Sequence, residues 1–391
     1  MTDVVIVDAL RTPIGKFKGA LSDVRADHLA TVVLNGLAER NGVDPALIDD
    51  VVFGCVTQVG EQCGNIARTA LLSAGWPDKI PGMTVDRKCG SSEAAIHVAY
   101  AAIKAGVSDV MVAGGAESMT RVPMGGNRDV HGETFGRMLT ERFDLTSQGE
   151  AAEVISDQAG FTRADHDAYA MESHRRAAAA ADAGWFDSQI VQVPIDHVAE
   201  APADAPRGTL AADETIRRGT TAEKLATLKT VFRPDGGRVS AGNASQICDG
   251  AAALLLMSAD KAAELGLRPR ARIRSVAVVG SDPELMLTGP IAATRKALDR
   301  AGLTLDEIDL FEVNEAFASV PLLWMKELDV GHDRLNVNGG AIALGHPLGA
   351  TGARIMTTLL NELERRGARY GCQAICCAGG LGTATVIERL D

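Results

Sequence analysis

No run of apolar residues in this chain approaches the ~18 that a membrane-spanning helix requires, so no helical span is expected. Positive charge is also scarce. Lys and Arg number 39 against 51 Asp and Glu, a formal charge of −12. That balance argues against nucleic acid or an anionic membrane as partner, although a local Arg or Lys cluster can still hold a phosphate. A basic leader and a cleavage site are missing where Met1-Thr2-Asp3 runs straight into the strand pattern Val4–Val7, so no export signal is expected. Paired cysteine spacing is lacking as well. Cys55, Cys63, Cys89, Cys248, Cys372, Cys376 and Cys377 are odd in number and unevenly spread, which predicts reduced thiols and a cytoplasmic location. Three of them crowd near the C-terminus, but no C-x2-C pair is present, so no metal is expected.

What is present is ordinary globular composition, 46% hydrophobic and 23% charged, with length enough for two or three domains' worth of core. The chain repeats itself. Residues 37–54 (LAERNGVDPALIDDVVFG) and 297–314 (ALDRAGLTLDEIDLFEVN) each show a helix end with a Gly stop, an acidic linker and an apolar strand. Val110–Gly115 is echoed by Ile375–Gly380, both apolar strands ending in Ala-Gly-Gly, in the same order and at nearly the same offset. Two similar α/β halves follow, residues 1–120 and 250–391, with buried, mainly parallel sheets. Residues 121–249 differ in texture, with an Ala-rich helix (Arg175–Ala183) and a polar stretch from Pro194 to Arg218. They are read as an inserted loop domain that covers the core and carries binding contacts.

Chemistry concentrates where apolar strands end. Cys89 follows an extended run and opens the helix that starts Gly90-Ser91-Ser92-Glu93. Free N–H groups and the helix dipole there favour a thiolate, and a buried structural cysteine is the competing reading. His346 sits in a glycine-rich loop, Asn338-Gly339-Gly340-Ala341-Ile342-Ala343-Leu344-Gly345-His346-Pro347. A histidine held there can act as a general base, or can merely bond backbone in a turn. Asn314 ends the repeat strand in Asn314-Glu315-Ala316-Phe317, as a site residue or a helix cap. Cys376 and Cys377 end the last echo strand, and side-chain alternation allows only one of them to face a given site.

Together these segments, with Arg11-Thr12-Pro13-Ile14-Gly15-Lys16 and Gly242-Asn243-Ala244-Ser245, resemble the thiolase family over nearly the whole chain. The resemblance implies duplicated α/β halves in five layers, α-β-α-β-α. It implies acyl transfer through an acyl-Cys89 intermediate, with His346 as the base that activates the thiol. Cys376 is the implied second cysteine, because Gly379-Gly380-Leu381-Gly382 aligns without gaps in that register, whereas a strict Cys-x-Gly-Gly register selects Cys377. One oxyanion hole would involve His346 and a water held by Asn314. The other would use the N–H groups of Cys89 and Ala378. Coenzyme A contacts carry over to Arg217 and Ser245, and channel walls to Met286 and Phe317. CoA thioesters are the implied substrates, no permanently bound cofactor is implied, and a homodimer or homotetramer is.

One departure stands out. Ser147-Gln148-Gly149 replaces the His-Met-Gly of short-chain biosynthetic members. It favours a degradative 3-ketoacyl-CoA thiolase acting on broader or bulkier acyl groups, with biosynthetic acetoacetyl-CoA synthesis as the alternative. A carrier-protein condensing enzyme would pair its cysteine with other partners than Cys376. A non-catalytic acyl-CoA binder would be expected to lose Cys89 or His346, and both are present.

Overall fold

The N-terminal run Val4–Val7 continues through Arg11 as a strand buried on both faces, the signature of a strand inside a layered fold. In this computed structural model residues 2–128, 130–200 and 207–391 are described. The strands are β1 (Val4–Arg11), β2 (Gly15–Lys16), β3 (Asp50–Gly54), β4 (Gly82–Val85), β5 (Val110–Ser118), β6 (Val193–Pro194), β7 (Thr209–Leu210), β8 (Cys248–Ser258), β9 (Ala271–Gly280), β10 (Leu310–Val313), β11 (Tyr370–Cys377) and β12 (Leu381–Arg389). The helices are α1 (Ala26–Asn41), α2 (Ile66–Ser73), α3 (Ser91–Lys104), α4 (Arg137–Thr140), α5 (Gln148–Ala159), α6 (Arg163–Asp182), α7 (Ile195–Val198), α8 (Ala222–Ala226), α9 (Ala259–Glu264), α10 (Gly289–Ala301), α11 (Ser319–Leu328), α12 (Ala341–Leu344) and α13 (Thr351–Arg366).

The main sheet runs β10-β11-β12-β9-β1-β8-β5-β3-β4. Its two halves mirror each other about the short β1–β9 pairing, Val5 opposite Arg272 and Ile6 opposite Ala271. β3 matches β10, β5 matches β11, β8 matches β12 and β1 matches β9, so both sequence echoes fall on equivalent strands. The Gly stops behave as read. Gly42 and Gly302 end α1 and α10 in the left-handed region, at φ 61° and 67°. β8 begins at Cys248 and lies between β1 and β5, so the chain leaving the insertion first completes the N-terminal sheet.

The layers follow from packing. α1 and α2 cover the outer face of the first half-sheet. α10 and α11 cover that of the second. α3 and α13 lie between the two and pack against each other and both half-sheets. The five-layered reading holds. The expectation of mainly parallel sheets does not. Among the strands of the described residues, only β3–β4, β3–β5 and β10–β11 pair in parallel. The alternating strand–helix pattern describes those units alone. β11 returns as β12 through the turn at Ala378–Gly380, and so short a connection can only join antiparallel neighbours.

The insertion's Ala-rich helix is longer than its alanine run, because Thr162 caps it and Asp165 closes a capping box. Of the polar stretch after Pro194, residues 201–206 fall outside the described residues.

The central layer brings backbone against backbone. A Cβ on Gly115 would stand 2.0 Å from the Gly349 carbonyl oxygen, whereas one on Gly42 would meet nothing within 4 Å. Gly115→Ala is therefore predicted to cost ~1–3 kcal/mol or more through overpacking that backbone cannot relieve. Gly42→Ala should cost ~1 kcal/mol from its left-handed conformation alone. Denaturant midpoints of the two variants check the order, and equal shifts would contradict it.

Candidate active site

Cys89 sits on a tight connection between β4 and α3. Lys88 takes a left-handed φ of 51°, rare for a residue with a Cβ. The turn is held by Ser91, whose hydroxyl donates to the Lys88 carbonyl (2.6 Å) and accepts from the Arg87 N–H (2.9 Å). The thiol is buried at the end of the central layer. Burial pushes it up to about 11, although the N–H groups of Ala378 and Cys89 and the Lys88 charge pull the other way. The expected thiolate is thus corrected. The dipole and N–H groups are in place, but desolvation outweighs them and the resting group is a thiol.

His346 is also buried, in the loop whose Leu348 packs in the cluster of Cys89. Thr351 donates its hydroxyl to the Pro347 carbonyl (2.9 Å), which leaves its oxygen to accept from His346 Nδ1 at 2.6 Å. Nε2 is then the free, basic nitrogen, and the Asn314 amide lies 3.4 Å from it. Burial, and after it the Arg354 charge, holds His346 down to about 3. A neutral imidazole with its Nε2 lone pair available is the form a general base needs. Asn314 is placed by β10 and by its own N–H on the Ala374 carbonyl (3.0 Å). Its side-chain oxygen is buried with no partner among the described residues.

Cys376 and Cys377 occupy opposite faces of β11, as alternation requires. Cys377 packs in the small cluster that holds Cys89, and a Cβ on Gly90 would come within 2.7 Å of its sulfur. Cys376 belongs to the cluster of Phe317 and Met286. Both thiols are raised well above the ordinary range, first by burial and next by Cys89. The structure brings both beside the nucleophile and separates them by face. Ala378 follows at the turn, where Gly379 and Gly380 take φ of 87° and 75° and let its N–H point at the Cys89 sulfur.

A largely apolar cavity of ≈ 210 Å³ opens onto His346, with Ser245, Phe317, Phe232 and Gln148 in its wall. Ser245 is fixed by its N–H on the Ala316 carbonyl (3.0 Å). Met286 is buried behind Phe317 rather than in that wall. Arg217 lies in a second cleft of ≈ 350 Å³ with His174 and Lys224. Ala241 lines the first cavity and its neighbour Gly242 the second.

Four residues that the sequence did not single out build this site. Thr351 fixes the His346 tautomer. Gln246 holds the carbonyls of Thr215, Ile342 and Ala343 (2.8–3.2 Å), and its own carbonyl accepts from the His346 N–H (3.3 Å). Glu315 accepts from Tyr169, Ser173, Asn336 and the Ile342 N–H (2.8–3.0 Å), tying the end of β10 to the insertion. Glu117 accepts from the N–H groups of Val56, Thr57 and Gly349, all at 2.9 Å. Position in the motifs was a signal for Thr351, Gln246 and Glu315. Each lies within five residues of a residue already singled out. Glu117 carried none.

A buried thiol met by an N–H donor and a buried neutral imidazole, on duplicated α/β halves, fit an acyl-transfer site of the thiolase kind. The comparisons agree. Family models for the thiolase N-terminal domain and C-terminal domain match residues 4–260 and 267–389. The chain belongs to the thiolase family and is an acyltransferase. It is 44% identical to a steroid 3-ketoacyl-CoA thiolase of Mycobacterium tuberculosis, covering 100% of this chain and 95% of that protein. It is 47% identical to a 3-ketoacyl-CoA thiolase of Idiomarina loihiensis, covering all of both. Among solved structures it resembles the acetyl-CoA acetyltransferase of Bacillus anthracis, with a TM-score of 0.91 and 42% identity over 100% of this chain and 99% of that one.

Two predictions follow from the buried, neutral histidine. Thr351→Val removes the acceptor for Nδ1–H and should lower kcat/KM by ~10- to 100-fold, below the upper end of the 10²–10⁴ that a general base contributes. Thr351→Ser should keep most activity, and equal loss in both would rule out the hydroxyl's role. His97, His166, His174, His332 and His346 are all depressed, each chiefly by burial. Their unfolded forms bind protons near pH 6.5 and their folded forms only near 3 to 4. The histidine contribution to stability is therefore fully present above about pH 6.5 and drains away as pH falls from there towards 4, opposed more weakly by Glu93 and Glu312, which burial raises to about 7 and about 8. A Tm flat between pH 7 and pH 4.5 would contradict this.

Proposed function

We propose that the protein cleaves 3-ketoacyl-CoA with free CoA, giving acetyl-CoA and a shortened acyl-CoA, by ping-pong chemistry through acyl-Cys89. The observation that carries this is that Met119 and Leu348 pack with the Cys89 thiol, which the Ala378 N–H meets, and also line the cavity onto which the His346–Asn314 pair opens. Relatives named 3-ketoacyl-CoA thiolase at 44–48% identity support the degradative direction.

In the first half-reaction Cys89 Sγ attacks the 3-keto carbonyl as His346 Nε2 takes its proton. The bond between C2 and C3 breaks, and Cys376 protonates the acetyl-CoA carbanion. In the second, the Cys376 thiolate takes the proton of the incoming CoA thiol, whose sulfur attacks acyl-Cys89. The departing Cys89 sulfur recovers its proton from His346. Both neutral groups thus return to their starting forms. We assign Cys376 rather than Cys377 because it shares a face with Phe317 and Met286. The N–H groups of Cys89 and Ala378 would receive the thioester oxygen, and Asn314 Oδ1 would hold a water for the other oxyanion. The cleft of Arg217 and Lys224 suits the CoA nucleotide, with pantetheine passing Ser245 and Phe317.

On this reading residues 1–120 carry the nucleophile, 121–249 cover the substrate, β8 returns to the N-terminal sheet rather than opening the second half as the boundary at 250 implied, and the chain beyond it to residue 391 supplies the acid and base. The enzyme would work in the cytoplasm, in β-oxidation of acyl groups, as a homodimer or homotetramer. No helix among the described residues is long and apolar enough to cross a membrane. The solved acetyl-CoA acetyltransferase favours a second reading, biosynthesis of acetoacetyl-CoA.

Acetyl-CoA alone should leave one acetyl group on the intact protein, lost in Cys89→Ser. Cys376→Ser should still acylate but turn over ~10²- to 10⁴-fold more slowly, as expected for loss of an acid–base group, whereas Cys377→Ser should turn over. Full turnover by Cys376→Ser would reverse the assignment. Thiolysis rates across chain lengths decide between the readings, since a sharp optimum at acetoacetyl-CoA supports the biosynthetic one.

A further inference from the structure

The wall of the cavity at His346 is mostly methionine, valine, leucine, isoleucine, alanine and phenylalanine, and its few polar side chains have occupations apart from Gln148 and from Ser245, the latter proposed above as a pantetheine contact. The Gln246 amide nitrogen is spent on three carbonyls. Ser240 accepts from the Gly242 N–H (3.2 Å). His346 is held by Thr351 and Asn314. Gln148 is different. It is half-buried, it lines the same wall, and its carboxamide has no hydrogen-bond partner among the described residues.

The surroundings hold Gln148 in place. It is the first residue of α5, whose N-terminus is capped by Ser147 (3.1 Å to the Glu150 N–H). Gly149 has no room for a side chain, because a Cβ there would meet the Phe232 ring at 1.9 Å. Phe232 packs edge-on against Phe317, at 6.2 Å between ring centres. Arg233 is pinned to α5 through Glu150 and Asp157 (2.5–2.8 Å). Phe317 in turn shares its cluster with Met286 and Cys376. Gln148 thus lines the cavity that His346 lines and not the cationic cleft at Arg217.

A lone unsatisfied amide in an apolar wall loses little to water when it meets a polar group, and loses a hydrogen bond when it meets a methylene. We propose that Gln148 selects 3-ketoacyl-CoA substrates whose acyl group carries a further oxygen, hydroxyl or carbonyl, beyond the reacting 3-keto carbon. The proposal rests on the thiolase reading above and names its substrate class. Gln148 is a specificity residue and takes no part in bond making.

The test compares kcat/KM for 3-ketoacyl-CoAs of one chain length, plain and hydroxylated at successive carbons, in the wild type and in Gln148→Leu. At least one hydroxylated member should be preferred by roughly 3- to 10-fold, the scale of one neutral hydrogen bond. In Gln148→Leu that ratio should collapse to about one. Gln148→Met, closer in shape, repeats the measurement should leucine disturb folding. No preference at any position overturns the proposal. So does an equal fall for plain and hydroxylated members, which would place the carboxamide on pantetheine instead. Acetylation of Cys89 by acetyl-CoA is followed in the same preparations. Its absence in the wild type would sink the thiolase reading, and its presence without hydroxyl preference would sink this proposal alone.

Discussion

The Glu117 carboxylate is the point on which the reaction centre hangs. It ends β5, fully buried, and gathers the N–H groups of Val56, Thr57 and Gly349 with the Gln62 amide. The first two belong to the connection that leaves β3. The third belongs to the loop that carries His346. One carboxylate therefore fastens the loops of both halves to each other. Burial raises it and the surrounding N–H donors lower it again, the balance expected when a buried acceptor is supplied with partners. The bare glycines around it, Gly54, Gly115 and Gly349, allow the backbones to approach so closely.

That closeness decides the electrostatics. A dry site disfavours every charge, so Cys89 rests as a thiol and His346 as a neutral imidazole, shifted apart to about 11 and about 3. A preformed ion pair would spend its stabilisation before the substrate arrives. Neutral partners with N–H donors already aimed hold their electrostatic gain for the charge that develops on oxygen. The N–H groups of Cys89 and Ala378 come from different halves of the duplication, and the antiparallel return of β11 into β12 sets the second of them.

The insertion joins this frame through ionic and polar ties. Glu315 reaches Tyr169 and Ser173 of α6, and Arg11 forms a buried pair with Asp213 at 2.7 Å. Such pairs fix position more than they add stability. Their effect is to fix the segment that lines the cleft of Arg217 to the frame that carries His346.

Much was legible in the chain. The repeat announced two equivalent half-sheets, because apolar strands and Gly-stopped helices are local patterns that survive duplication. Cys89, Asn314 and His346 could be read as candidate site residues, a role proposed for them above, because each follows an apolar strand or lies in a glycine-rich loop. The antiparallel strand pairings were not legible, since alternation fixes which residues are buried but not which neighbour a strand finds. Nor was the role of Thr351, whose hydroxyl matters only once the turn of α13 brings it to Nδ1. The protonation of Cys89 was misread for the same reason. The sequence by itself determined the chemical groups and their order. Only the tertiary structure decided how much water reaches them, because desolvation is a property of everything packed around a group and not of its neighbours in the chain.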